Sequence, residues 1–343
     1  MTSEVADVYC PFPYRENPEA AEARAHVARW VSQTGLVRRE SARRRFELAD
    51  FGWFAALVYP TADRAGLDLV TDWFAWLFLV DDQFDDGLVG RSQHAAEHAV
   101  GRLRAVLTGP DTGNSSSATG REAGGTGEPV PPAVSALADL WRRTVAGATS
   151  AWRRRFAGHL EECLTTAAVW EAGNRARGVV PDESTYVEKR RHTGAIYVCM
   201  DLIEIVEQLD VADERYASVE FTDALEAACN VVCWTNDVYS LDKERALGEV
   251  HNLAYLLQHH RGLHREQALA EVCRLVSAET RRFLAAELAV LRVHGPALAP
   301  YLAGMRTWMR GNLDWSRRTK RYHALATAPP ADYIEGRVLS EGT

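Results

Sequence analysis

The chain is expected to fold as an all-α helical bundle, for three reasons. Apolar residues recur at helical spacing over most of its length from Pro18 onward. Alternating β-branched runs, the mark of strands, are missing. The breaks between periodic segments fall on helix-ending residues such as Gly178, Pro181, Gly262 and Gly295. With 343 residues, 47% hydrophobic and 25% charged, the chain can bury a large core without disulfides.

Residues 1–17, with Pro11, Phe12 and Pro13, read as an extended arm. Helical spacing is expected over Glu19–Thr34, Ser41–Ala56 and Leu67–Asp86. Gly109–Pro132 is rich in Gly, Ser, Thr and Pro and holds almost nothing to bury, so it reads as a flexible surface loop. A linker is the alternative; the loop is preferred because the residues singled out below lie on both sides and must meet. The spacing resumes over Ala133–Arg177, Ser184–Leu209, Ala217–Gly248, Asn252–Arg261, Arg265–His294 and Ala297–Tyr322. The expectation is one domain over residues 1–343, built of roughly ten helices.

A net charge of −8 argues against nucleic acid as a partner, because binding to a phosphate backbone needs clustered Lys and Arg. It does not forbid an anionic substrate, because a metal ion can carry the missing positive charge. The six scattered cysteines read as small core residues; Cys229 and Cys233 share a helix face, but no zinc-spaced partner accompanies them. No signal peptide and no membrane-spanning apolar run are visible, so stable membrane insertion is not expected and a cytoplasmic location is.

Two acidic segments carry the chemistry. Leu77–Val80 runs straight into Asp81–Asp82–Gln83–Phe84–Asp85–Asp86, four carboxylates in six residues. Asp81, Asp82 and Asp85 share one helix face. Mutual repulsion and the helix dipole both disfavour this cluster, which calls for a counter-charge. A hard divalent cation such as Mg2+ fits, since it is held by one or two carboxylates plus substrate phosphates. A solvated acidic turn ending at Gly87 is the plainer reading. The second segment follows the apolar run Ala227–Thr235. There Asn236, Ser240 and Glu244 stand at i, i+4 and i+8, one stripe of hard oxygen ligands. The plainer reading, an exposed polar face, is weakened by the buried look of Val231–Trp234.

Taken together, these motifs resemble the bacterial class I terpene synthase family. Asp81–Asp82–x–x–Asp85 is similar to its aspartate-rich motif, and Asn236–Asp237–x–x–Ser240–x–x–x–Glu244 to its second metal motif. Tyr186–x–x–x–Arg190–Arg191–x–Thr193–Gly194 resembles the upstream segment in which an Arg senses diphosphate and the Gly sits at a helix break. Thr193 stands where many members carry Asp. Arg321–Tyr322, preceded by Trp315–Ser316, resembles the C-terminal Arg–Tyr pair. The motifs follow in the family's order along nearly the whole chain.

The resemblance implies a class I helical bundle around a central cavity. It implies a Mg2+-dependent cyclase that ionises a prenyl diphosphate and closes the carbocation into rings. Farnesyl diphosphate, giving a sesquiterpene, is the leading substrate; geranylgeranyl diphosphate, giving a diterpene, is the alternative. A chain-elongating prenyltransferase is disfavoured, because that group carries two aspartate-rich motifs. A non-catalytic prenyl diphosphate-binding protein is the remaining reading. By resemblance, three Mg2+ ions bridge diphosphate to Asp81 and Asp82, to Asp85 or Asp86, and to Asn236, Ser240 and Glu244. Arg190, Arg321 and Tyr322 contact phosphate oxygens. Lys243 is either a further phosphate contact or a surface lysine. By family register Arg190, not Arg191, faces the ligand. Phe74, Leu77, Phe78, Val198 and Trp315 are the cavity candidates, with Trp234 a weaker one; aromatic faces there stabilise cations. A homodimer is the assembly considered, although no heptad seam supports one.

Overall fold

The computed structural model describes residues 8–85, 92–109, 130–322, 335 and 338–339, and of Asp85 only the backbone. Asp86 and residues 110–129, the greater part of the expected loop, lie outside the described residues.

Among the described residues there are fifteen α-helices and no strand. They are α1 (Ala20–Gln33), α2 (Glu40–Ala49), α3 (Phe51–Val58), α4 (Arg64–Asp85), α5 (Gln93–Thr108), α6 (Pro132–Val145), α7 (Ser150–Thr165), α8 (Ala172–Arg177), α9 (Glu183–Thr193), α10 (Ile196–Val206), α11 (Asp213–Tyr216), α12 (Val219–Leu247), α13 (Leu253–Arg261), α14 (Arg265–His294) and α15 (Ala299–Arg318).

The helix count exceeds the sequence expectation because several long periodic stretches are broken by local chemistry. Ser41–Ala56 splits at Asp50, which adopts a left-handed conformation (φ 54°) and accepts the Trp53 amide at 3.2 Å, so one aspartate ends α2 and caps α3. Ala133–Arg177 splits at Ala146, and Thr149 caps α7. A π-helical turn, Thr166–Glu171, then joins α7 to α8. Helix α5 is the helix expected before the Gly109–Pro132 segment, to which the spacing gave no bounds; Ser92 caps it through the Ala95 amide.

Two helices dominate the architecture. Helix α12 is buried on nearly all sides from Phe221 to Leu241, packing against α14, α15, α9 and α10. Ser218 starts it, and Gly248 in the left-handed region (φ 78°) closes it, with the Glu249 amide bonded to the Glu244 carbonyl at 2.9 Å. Helix α4 packs against α1, α3 and α6. The N-terminal arm is anchored from Val8: Phe12 is buried edge-on to Phe283, and its carbonyl accepts from Arg310.

The α15–α3 crossing sets one cavity wall, and Gly311 makes it possible. A Cβ there would lie 2.8 Å from both the carbonyl carbon and oxygen of Leu57. Gly→Ala in a helix gains up to about 1 kcal/mol. Overpacking against backbone costs roughly 1–3 kcal/mol, so the clash decides the sign. Gly311→Ala is expected to lower the thermal midpoint by several degrees, as calorimetry would show; an unchanged or raised midpoint would contradict this close approach.

Candidate active site

The end of α4, the α9–α10 break, the second half of α12 and the C-terminal residues Arg321 and Tyr322 converge on one cavity. Its floor is aromatic. Phe54 stacks on Trp315 with centroids 4.3 Å apart and planes 12° apart. Phe74 and Trp308 meet at 5.4 Å, and Phe78 lies 6.0 Å from Trp315. The Trp315 indole N–H donates to the Ala49 carbonyl at 2.8 Å, so its polar edge is satisfied within the core. Phe74, Leu77, Phe78 and Trp315 all line this space.

Val198 does not, which corrects the expectation. Ala195, with φ 53°, breaks the chain between α9 and α10, and the new helix presents Ile196 and Cys199 to the cavity. At 100° per residue Val198 falls on the opposite face, fully buried in the core. Trp234 is likewise buried outside the lining.

The rim is polar. Asp81 faces the cavity from α4; Asn236, Lys243 and Glu244 face it from α12. Asp82 turns instead to Arg321, which donates to its two carboxylate oxygens at 2.7 and 3.3 Å. Arg45 approaches the same carboxylate at 3.9 Å, and the Arg321 guanidinium also sits 5.0 Å over the Phe78 ring. Burial works to raise the pKa of Asp82, but the charges of Arg321, Arg45 and Lys243 and the Arg321 hydrogen bonds outweigh it and hold the group near 2. Asp85 belongs to α4, but its side chain lies outside the described residues.

On the opposite wall Asn236 donates to the Tyr322 hydroxyl at 2.6 Å and accepts from Arg190 at 3.0 Å. The Arg190 Nε–H also donates to Asp237 at 3.1 Å. Arg191 points elsewhere, to Asn230 and Glu226. Asp82, Arg321, Tyr322, Asn236 and Arg190 therefore form a chain of contacts that runs from one acidic segment to the other. Glu244 accepts from Asn252 at 2.8 Å. Burial, then the charge of Asp237, pushes its pKa up to about 7 against the pull of Arg190, Lys243 and the Asn252 hydrogen bond. Gly194 is needed for closeness rather than for backbone freedom. A Cβ there would meet the Arg190 carbonyl and guanidinium at 3.1 and 3.2 Å, and the Cys233 sulfur at 3.2 Å.

Ser240 decides whether the α12 stripe suits a cation. Its hydroxyl is buried with no hydrogen-bond partner among the described residues. A buried hydroxyl left unpaired is disfavoured by roughly 1–3 kcal/mol. It sits one turn from Asn236 and one turn from Glu244, so the three oxygens make a hard donor set that a divalent cation would complete. Among the described residues no three carboxylate, imidazole or thiol side chains gather as a metal site by themselves. The set depends on an amide and a hydroxyl.

Several site residues were missed by sequence reasoning. Asp237 is fully buried; it accepts from Tyr186, Arg190 and the Leu253 amide, pinning α9 and α13 to α12. Gln83 donates to the Glu335 carbonyl, and the Glu335 carboxylate accepts both the Arg38 and Arg39 amides at 2.8 Å. Phe54, Trp308, Glu171 and Arg175 also line the cavity. Asp237, beside Asn236, and Gln83, inside the aspartate-rich segment, had a sequence signal in their place within a motif; the others lie outside any motif.

The cysteines form no disulfide, and all but Cys10 are buried; Cys163, Cys199 and Cys233 reach the cavity wall. No described helix is long and apolar enough to cross a membrane.

Residues 72–282 match the family described as terpene synthase family 2, C-terminal metal binding. The chain is 35% identical to pristinol synthase of Streptomyces pristinaespiralis over 330 residues, covering 94% of this chain and 86% of that one. It is 33% identical to the (+)-T-muurolol synthase ((2E,6E)-farnesyl diphosphate cyclizing) of Roseiflexus castenholzii, covering 91% and 92%. The crystal structure of the linalool/nerolidol synthase from Streptomyces clavuligerus superposes with a TM-score of 0.77 at 32% identity, covering 91% of this chain and all of that one. The chain belongs to the bacterial class I terpene synthase family.

Proposed function

We propose that this terpene cyclase takes farnesyl diphosphate and converts it, with Mg2+, to a cyclic sesquiterpene with release of diphosphate. The observation that carries the reading is the buried, unpaired Ser240 hydroxyl, one helical turn from both Asn236 and Glu244, which face an aromatic-floored cavity also lined by Asp81. The T-muurolol synthase, one-third identical, is named for cyclising farnesyl diphosphate.

Asp81 on one wall and Asn236, Ser240 and Glu244 on the other would hold the metal, three ions being the family expectation. Bound Mg2+ would supply Lewis-acid neutralisation of the departing diphosphate. The chain's own residues do the rest. Arg190 and Arg321 bring fixed guanidinium donors to the head group, preorganised by Asp237 and Asp82. The Tyr322 hydroxyl, held by Asn236, adds another donor. Below them Phe54, Phe74, Phe78, Trp308 and Trp315 exclude water and offer π faces to the carbocation, each contributing about 0.5–2 kcal/mol.

The test is incubation of the protein and Mg2+ with geranyl, farnesyl and geranylgeranyl diphosphate separately. Gas chromatography with mass detection and a diphosphate-release assay give the readout. The farnesyl substrate is expected to give a cyclic C15 product and the fastest release. A cyclic C20 product from geranylgeranyl diphosphate alone would move the assignment to a diterpene synthase. No release from any of the three would overturn it.

A further inference from the structure

Arg175 occupies a place in the cavity that the motifs do not explain. It lies on α8, which follows the π-helical turn Thr166–Glu171. A residue inserted by a π turn rotates everything downstream by about one helical position. This turns the Arg175 guanidinium inward, where it lines the cavity. One of its amino groups donates to the Phe84 carbonyl at 3.1 Å, in the last described turn of α4. Its other amino group donates to Glu249 at 2.7 Å, in the loop that follows α12.

Glu249 is itself held firmly. Its second oxygen accepts the Val250 and His251 amides at 2.7 and 2.9 Å and meets the His251 ring. Burial opposes its ionisation, but the His251 contacts and the Arg175 charge hold its pKa near 2. The His251 ring is fixed on its other side by Asn174 at 3.1 Å, and the next residue, Asn252, reaches Glu244. A continuous polar path therefore leads from the end of the helix bearing Asp81 and Asp82, through Arg175, to the carboxylate of Glu244. The charge of Arg175 is matched by Glu249, so it is spent on holding rather than on binding.

We propose that Arg175 is a positioning residue that sets the gap between the two metal-carrying helix ends, joining the Phe84 carbonyl to Glu249 so that Mg2+ and diphosphate meet ligands already at the right separation. This rests on the cyclase reading above and adds the residue that keeps its two walls in register. A lysine cannot replace it, because one ammonium lacks the fork that spans both acceptors.

The test is calorimetric titration of inorganic diphosphate into the full chain over a series of Mg2+ concentrations. It compares the natural protein with Arg175→Lys, Arg175→Gln and Glu249→Gln, each checked for native circular dichroism. In the folded variants the Mg2+ concentration that half-saturates diphosphate binding is expected to rise about tenfold or more, as when partners of metal ligands are removed. Diphosphate binding at saturating Mg2+ should change much less. If Arg175→Gln fails to fold, Arg175→Lys and Glu249→Gln must still show the shift. Two results overturn the proposal: an unchanged Mg2+ midpoint in the folded variants, or weakened diphosphate binding at every Mg2+ level with the midpoint fixed, which would make Arg175 a direct ligand. Failure of the natural protein to bind diphosphate with Mg2+ would instead sink the reading of the site itself.

Discussion

Arg321→Met is expected to reduce diphosphate release by at least ~100-fold and to destabilise the folded chain by about 3–5 kcal/mol. The two losses have separate causes. The first is loss of a guanidinium donor from the rim. The second is that Asp82, 7% exposed, keeps its charge but loses its main partner. Arg45 remains at 3.9 Å, too far for a hydrogen bond. The sign with pH follows from the depressed pKa of Asp82, near 2 against an ordinary 3.8. Stability from the pair is fully present above about pH 4 and is lost as pH falls toward 2. The gap in stability between the natural protein and the variant should therefore narrow on acidification through that window. The double variant Arg321→Met with Asp82→Asn separates the causes: denaturant melts should recover most of the stability, while diphosphate release should stay low. Recovery of activity in the double variant would show that Arg321 serves only to pair Asp82.

How much of this could be read from the chain depends on whether a feature is local. The stripe Asn236–Ser240–Glu244 is set by helix geometry alone, and the structure puts all three on α12 as the spacing requires. The apolar residues near Asp81 were legible for the same reason: Phe74, Leu77 and Phe78 line the cavity from α4 together with it. Val198 was misjudged because its orientation depends on the Ala195 kink, a left-handed alanine that no propensity announces. Asp50, a capping residue inside an apolar stretch, divided an expected helix in the same way. Phe54, Trp308 and Arg175 lie in stretches of helical spacing but carry no motif, and like Glu335 they reach the site or its edge only through tertiary packing. The engagement of Asp82 by Arg321 could not be foreseen either, since 239 residues separate them and only the closed chain brings them together.

Glu244→Gln tests the other wall, and its two effects should run in opposite directions. The amide keeps an oxygen for the Asn252 donor, so the fold is retained. It removes the only negative charge of the α12 ligand stripe, and diphosphate release is expected to fall by roughly 100- to 1000-fold, the scale of losing one preorganised electrostatic contact. Stability should move the other way. Burial and the neighbouring Asp237 raise the pKa of Glu244 from 4.5 to about 7. The folded chain thus keeps a proton that the unfolded chain releases, and metal-free stability declines as pH rises from 4.5 through 7. Glutamine carries no such proton. Without Mg2+ the variant should match the natural protein near pH 5 and exceed it near pH 8, as thermal melts at several pH values would show. Adding Mg2+ and inorganic diphosphate should invert the ranking at pH 8, because the natural carboxylate is then ionised and can bind a cation while the amide cannot. A natural protein whose melting point gained nothing from that addition would mean that Glu244 is buried for packing alone, and that the unpaired Ser240 hydroxyl beside it serves no cation.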